Sequence, residues 1–89
     1  MHVESKEVEN KLRIILRDIL GISAERAAAL MPESGLFGVL PELDSMAVAN
    51  LLTEIEDRIG ITVEDDEIDG EMLESFGSLN QFVSGKLCR

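Results

Sequence analysis

The chain has 89 residues and a net charge of −10, with 18 acidic residues against 8 basic and one histidine. That length predicts one domain whose compact core has little room for an enclosed substrate cavity. The charge repels phosphate backbones and anionic lipid surfaces, which disfavours nucleic-acid binding and membrane-surface roles.

The side chains of catalysis are scarce. The one histidine, His2, and the one cysteine, Cys88, sit at opposite ends of the chain, so a Cys/His pair would have to be assembled from two termini. A zinc site with nitrogen and sulfur ligands lacks members, and a lone cysteine excludes an internal disulfide. No charged-then-apolar leader opens the sequence, and no apolar run approaches membrane-spanning length. A cytosolic protein without enzyme activity, metal or membrane insertion is the expectation.

In chain order, Glu4 to Leu20 reads as a helix. Val8, Leu12, Ile15, Leu16 and Ile19 fall on one stripe, and Gly21 follows as a C-cap. Ser23 is placed to cap a short alanine-rich helix, Ala24 to Met31, which Pro32 stops. Residues 32–43 contain two prolines and two glycines, yet Leu36, Phe37, Val39, Leu40 and Leu43 are apolar. That pattern predicts a long loop pinned onto the core. A second long helix is expected from about Ser45 to Ile59, with Val48, Leu52, Ile55 and Ile59 as its stripe and Gly60 closing it. Ile61 to Val63 reads as an extended connection, and residues 64–69 as a short helix around Ile68. Residues 71–77 read as a loop anchored by Met72, Leu73 and Phe76. A last helix begins at Ser78, where Ser78 and Gln81 match a capping box. The fold class is therefore all-α.

The charge is concentrated. Residues 31–76 hold 13 acidic residues and one basic residue, Arg58, a balance of −12. A solvated face explains most such runs; clustering adds the possibility of steering basic partners. Asp65 to Gly70 resembles the front of a calcium loop, but Phe76 stands where the bidentate carboxylate is required and Leu73 offers no ligand. Acid–base catalysis by carboxylates among Glu54, Glu56, Asp57 and Glu64 to Glu67 would need burial or a cleft that no feature of the sequence supplies.

Leu43-Asp44-Ser45-Met46 lies where the long loop becomes a helix. Asp and Ser are ordinary N-caps, and a helix start also favours a phosphate, because its free N–H groups and partial positive charge face outward. This segment, the acidic helix after it, the long first loop and the chain length together resemble the acyl carrier protein family. The resemblance implies a small four-helix bundle of three main helices and a short third one, ordered over about residues 4–87 of a single carrier domain. It implies 4′-phosphopantetheine, derived from coenzyme A, joined to Ser45 by a phosphopantetheinyl transferase and carrying acyl groups as thioesters. Asp44 and Met46 would then serve partner recognition. Glu54, Glu56 and Asp57 would face acyl-loading and acyl-transferring enzymes with basic docking patches. Leu52, Ile55, Ile68 and Phe76 would be candidates to line the acyl chain. The family also implies a monomer. Ala47 and Asn50 replace the acids many fatty-acid carriers have after the serine, and Arg58 follows late in the helix. These departures point to a specialised carrier rather than the one for general fatty-acid synthesis. An aminoacyl or peptidyl carrier, and an acidic or calcium-responsive interaction module without a covalent group, stand as alternatives.

Overall fold

A computed structural model describes residues 5–87. Four helices occur in this range: α1 (Ser5–Leu20), α2 (Ala24–Ala28), α3 (Ser45–Ile59) and α4 (Phe76–Leu87). The family of folds is the expected all-α one. Glu4, His2 and Cys88 lie outside the described residues.

Helix α1 packs against each of the other three. Its stripe supplies Val8, Leu12, Ile15 and Leu16 to the core, all essentially inaccessible to water. These meet Leu51, Leu52 and Ile55 from α3 and Phe76, Leu79 and Val83 from α4. The helix ends at Gly21, whose positive φ of 68° lets its N–H reach the Arg17 carbonyl at 2.9 Å.

Helix α2 is shorter than its alanine run suggests. Ser23 caps it as expected, its Oγ accepting from Arg26 N at 3.1 Å. It stops at Ala28 instead of Met31, because Leu30 N turns back to the Ala27 carbonyl and the Leu30 carbonyl is taken by Arg13 Nη2 at 2.7 Å. The same guanidinium lies 5.0 Å from the centre of the Phe76 ring, so one side chain of α1 ties together the end of α2 and the start of α4.

The long loop is pinned by both side chains and backbone. Leu36 and Leu43 are buried. Residues 32–37 run antiparallel to residues 73–77. Gly77 N donates to the Pro32 carbonyl at 2.8 Å, Phe76 N to Ser34 at 2.8 Å, and Phe37 N to Leu73 at 3.0 Å. One isolated bridge, Gly35 with Ser75, is all the strand-like pairing among the described residues.

Two further boundaries differ from the sequence reading. A single 3-10 turn, Asp65–Glu67, stands where the short third helix was expected, and Ile68 falls just outside it. Helix α4 begins at Phe76 rather than Ser78. Its first turn is held by Ser75, whose Oγ accepts from Ser78 N at 3.1 Å and hydrogen-bonds with the Ser78 hydroxyl at 3.0 Å. Ser75 won because the pairing of residues 32–37 with 73–77 fixes its backbone beside Gly35, three residues before the first free N–H.

Candidate functional site

Helix α3 starts where the pinned loop ends. Leu43 is buried and fixes the chain against the core. Glu42, next to it, accepts from both terminal nitrogens of Arg26 on α2, at 2.5 and 3.1 Å. These bonds hold the Glu42 carboxyl below the usual carboxylate range and raise the pKa of Arg26. Asp44 is the N-cap. Its Oδ1 accepts from Ala47 N at 2.8 Å, and its carbonyl accepts from Val48 N at 2.9 Å. Ser45 is therefore the first helical residue and not the cap, which leaves its side chain free of capping duty. Ser45 is exposed.

Beside it opens a cleft of about 270 Å³, lined by Ser45 and Val48 of α3, Phe37 of the long loop, Leu73, and the segment Ile68-Asp69-Gly70. Its walls are mostly apolar. Of the candidate acyl-lining residues, the structure brings Ile68 to this cleft. Leu52, Ile55 and Phe76 point into the central core and do not line it. A larger and more polar hollow lies at the far end of α3, between Gly60, Glu64, Glu67 and Lys86. It holds the Lys86–Glu67 ion pair and does not include Ser45.

Phe37, Val48 and Leu73 are cleft residues that the sequence reading placed among the core contacts and not at the site. Val48 had a signal, since it stands one turn from Ser45 on the same side of a helix. Phe37 and Leu73 had none, because only the backbone pairing between distant segments brings them together.

The three carboxylates of α3 have different surroundings. Glu54 pairs with Arg58 at 2.9 Å. Glu56 is half-buried, and its Oε2 accepts from Val63 N at 2.9 Å. Asp57 is exposed. Arg58 also reaches Asp18 on α1 at 2.8 Å. That bond draws the Asp18 carboxyl below its ordinary range and raises Arg58. The late cation of α3 is thus turned toward α1. Asp69 Oδ1 accepts from Met72 N at 2.9 Å, closing a local turn. Among the described residues no group of three or more potential metal ligands converges. None of the described helices is long and apolar enough to cross a membrane.

The arrangement is an exposed hydroxyl on the first turn of a helix, preceded by a loop fixed to the core through Leu43, with an apolar groove next to it. Residues 10–83 match the model of the phosphopantetheine attachment site family. The chain belongs to this family of carrier domains, and phosphopantetheine is the group that such domains carry. Within it the chain is of the acyl carrier protein kind. It is similar to the holo acyl carrier protein of Nitrosomonas europaea, solved in solution by NMR, with 44% identity and a TM-score of 0.83 over 92% of this chain and 96% of that one. No curated protein matches it.

Proposed function

We propose that Ser45 is the attachment point, that its hydroxyl carries 4′-phosphopantetheine through a phosphodiester, and that the chain carries acyl intermediates without catalysing their conversion. One observation carries this reading: the exposed Ser45 side chain stands on the first turn of α3, relieved of capping by Asp44, at the mouth of an apolar cleft. The residues present suit the group. The first-turn N–H groups and the helix dipole favour a phosphate at this end, and an exposed serine accepts it without displacing core side chains. When bound, the group supplies a terminal thiol that holds an acyl chain as a thioester. The chain's own residues position that arm and present it to other proteins.

The cleft formed by Phe37, Val48, Ile68 and Leu73 is the apolar surface nearest the attachment point, which supports a role in sheltering cargo. Leu52, Ile55 and Phe76 would join that lining only if the helices part to admit a longer chain. The acidic segment from Met31 to Phe76 steers partners with basic patches, the phosphopantetheinyl transferase among them. Ala47 and Asn50 leave the start of α3 without the acids common in fatty-acid carriers, which supports a specialised carrier. The domain works as a cytosolic monomer in this reading.

The test is intact-mass spectrometry after incubation with coenzyme A and a phosphopantetheinyl transferase. The chain gains one phosphopantetheine, and Ser45→Ala gains none. A chain that gains nothing, or a gain that survives Ser45→Ala, overturns the assignment.

A further inference from the structure

Helix α1 buries one apolar stripe and leaves another large apolar side chain outside it. Ile14, 47% exposed, stands apart from the buried Val8, Leu12, Ile15 and Leu16. Its neighbours one turn before and after are Asn10, Lys11, Arg17 and Asp18. Two shallow hollows share Ile14 as a wall. One, of about 230 Å³, is lined by Arg13, Ile14 and Arg17 of α1 and by Ala24, Ala27 and Ala28 of α2. The other, of about 140 Å³, is lined by Lys11, Ile14, Ile15 and Arg58.

The charge here is the reverse of the chain's. The two linings hold four cations, Lys11, Arg13, Arg17 and Arg58, and no acid. The chain has 8 basic residues against 18 acidic, so half of its cations gather at one exposed isoleucine. The acids that border them are engaged. Glu9 pairs with Arg13 at 3.8 Å, and Arg58 takes Asp18 at 2.8 Å and Glu54 at 2.9 Å. Glu7 and Glu25, the other described acids of α1 and α2, line neither hollow. Two cations keep their donors open. Arg17 is exposed and has only Asp18 nearby, at 3.7 Å, and Lys11 is exposed without an ion pair among the described residues.

An isoleucine in water adds nothing to solubility, and a chain at −10 needs no cluster of cations to stay dissolved. A bilayer or a nucleic acid would meet the acidic remainder of the chain as well as this face. A second copy would bring another charge of −10 with it. A segment of another protein can reach this face alone. We propose that the α1–α2 face docks an acidic segment of a partner protein, which sets an apolar side chain against Ile14 and the alanines and its carboxylates on Arg17 and Lys11. The Arg17 guanidinium takes a carboxylate through paired N–H donors, and Lys11 adds a point charge. The face shares no residue with the cleft beside Ser45, so this docking role stands or falls apart from the reading of Ser45.

The probe is a blocked synthetic peptide of alternating leucine and glutamate pairs, titrated into the isotope-labelled whole chain and followed by amide NMR shifts at low and high salt. Shifts concentrate at Asn10, Ile14, Arg17 and Ala28 and are small at Ser45 and Ile68. Ile14→Ser weakens binding by about tenfold at both salt concentrations. Lys11→Gln combined with Arg17→Gln weakens it by about tenfold at low salt and by much less at high salt. All three side chains are exposed, so these variants keep the fold, and circular dichroism melts verify that. The same peptide with lysine in place of glutamate leaves Ile14 unmoved. No shift at Ile14, wild-type affinity in both variants, or equal shifts there from the lysine peptide overturns the proposal. Concentration-dependent shifts at Ile14 in the peptide-free chain would give the face to a second copy. Binding to phosphatidylglycerol vesicles that Ile14→Ser abolishes would give it to a lipid surface. Either result overturns the proposal too.

Discussion

Glu56 reaches across the end of its own helix to Val63, its Oε2 accepting the Val63 N–H at 2.9 Å. Gly60, with a φ of 84°, turns the chain between them. A carboxylate that the family resemblance assigns to the docking surface thus splints the connection after α3. Glu56→Ala leaves the half-buried Val63 N–H without that acceptor and costs about 1 kcal/mol. Glu56→Gln keeps an acceptor oxygen and costs less. Urea denaturation of the two variants separates them; equal losses would mean that the charge, and not the hydrogen bond, matters here.

Asp44 and Ser45 divide two duties that the sequence leaves shared. Asp44→Ala removes the cap on Ala47 N and lowers stability by about 1 kcal/mol. Ser45→Ala removes a side chain that caps nothing, and stability stays within about 0.5 kcal/mol of wild type. Thermal or chemical melts of both variants check this. A Ser45→Ala loss as large as that of Asp44→Ala would make Ser45 a structural residue first.

Much of the fold was legible because it is written in local periodicity. The stripes of α1 and α3 and the glycines after each are contiguous signals, and their buried faces follow from helix geometry. The attachment segment was legible as a loop-to-helix junction. What stayed hidden depends on contacts between distant segments. Ser78 and Gln81 satisfy a capping pattern, yet Ser75 caps α4, because its partner Gly35 lies forty residues earlier. In the same way Phe37 is half-exposed while Leu36 is buried, a division set by backbone bonds to Leu73 and Glu74 that no spacing rule encodes. The acids of α3 could be counted but not oriented, since Arg58 and Val63 decide where Glu54 and Glu56 point.

Gly77 and Gly85 both lie in α4 and respond in opposite directions to the same change. A Cβ on Gly77 would stand 2.7 Å from the Pro32 carbonyl oxygen, the atom its own N–H binds. Gly77→Ala forces that backbone pair apart and destabilises by about 1–3 kcal/mol, more than the helix propensity of alanine returns. A Cβ on Gly85 meets nothing within 4 Å, and the residue is exposed. Gly85→Ala therefore stabilises by about 0.5–1 kcal/mol. Denaturation midpoints of the two variants on either side of wild type are the expected outcome. Stabilisation by Gly77→Ala would mean that the loop and α4 do not meet so closely.

Acid weakens the molecule through two exposed clasps, and the direction follows from their partners. Arg26 holds Glu42 and Arg58 holds Asp18, each bond lowering the carboxyl pKa in the folded chain. A folded state that binds protons less readily than the unfolded one gains stability from these groups at neutral pH. The whole contribution is present above the ordinary Asp and Glu values of about 4. It is lost as pH falls through the lowered folded-state values, and the range from pH 6 to 8 is unaffected. Acidification also relieves repulsion among the excess carboxylates, so the clasps are read from the difference between wild type and the variants Arg26→Gln and Arg58→Gln, which share that background. Wild type loses stability more steeply below about pH 4 than either variant. In Arg58→Gln, an NMR titration of the Asp18 carboxyl moves up toward the ordinary range. Parallel acid profiles, or an unmoved Asp18, would show that the guanidinium bonds do not hold these carboxyls in solution.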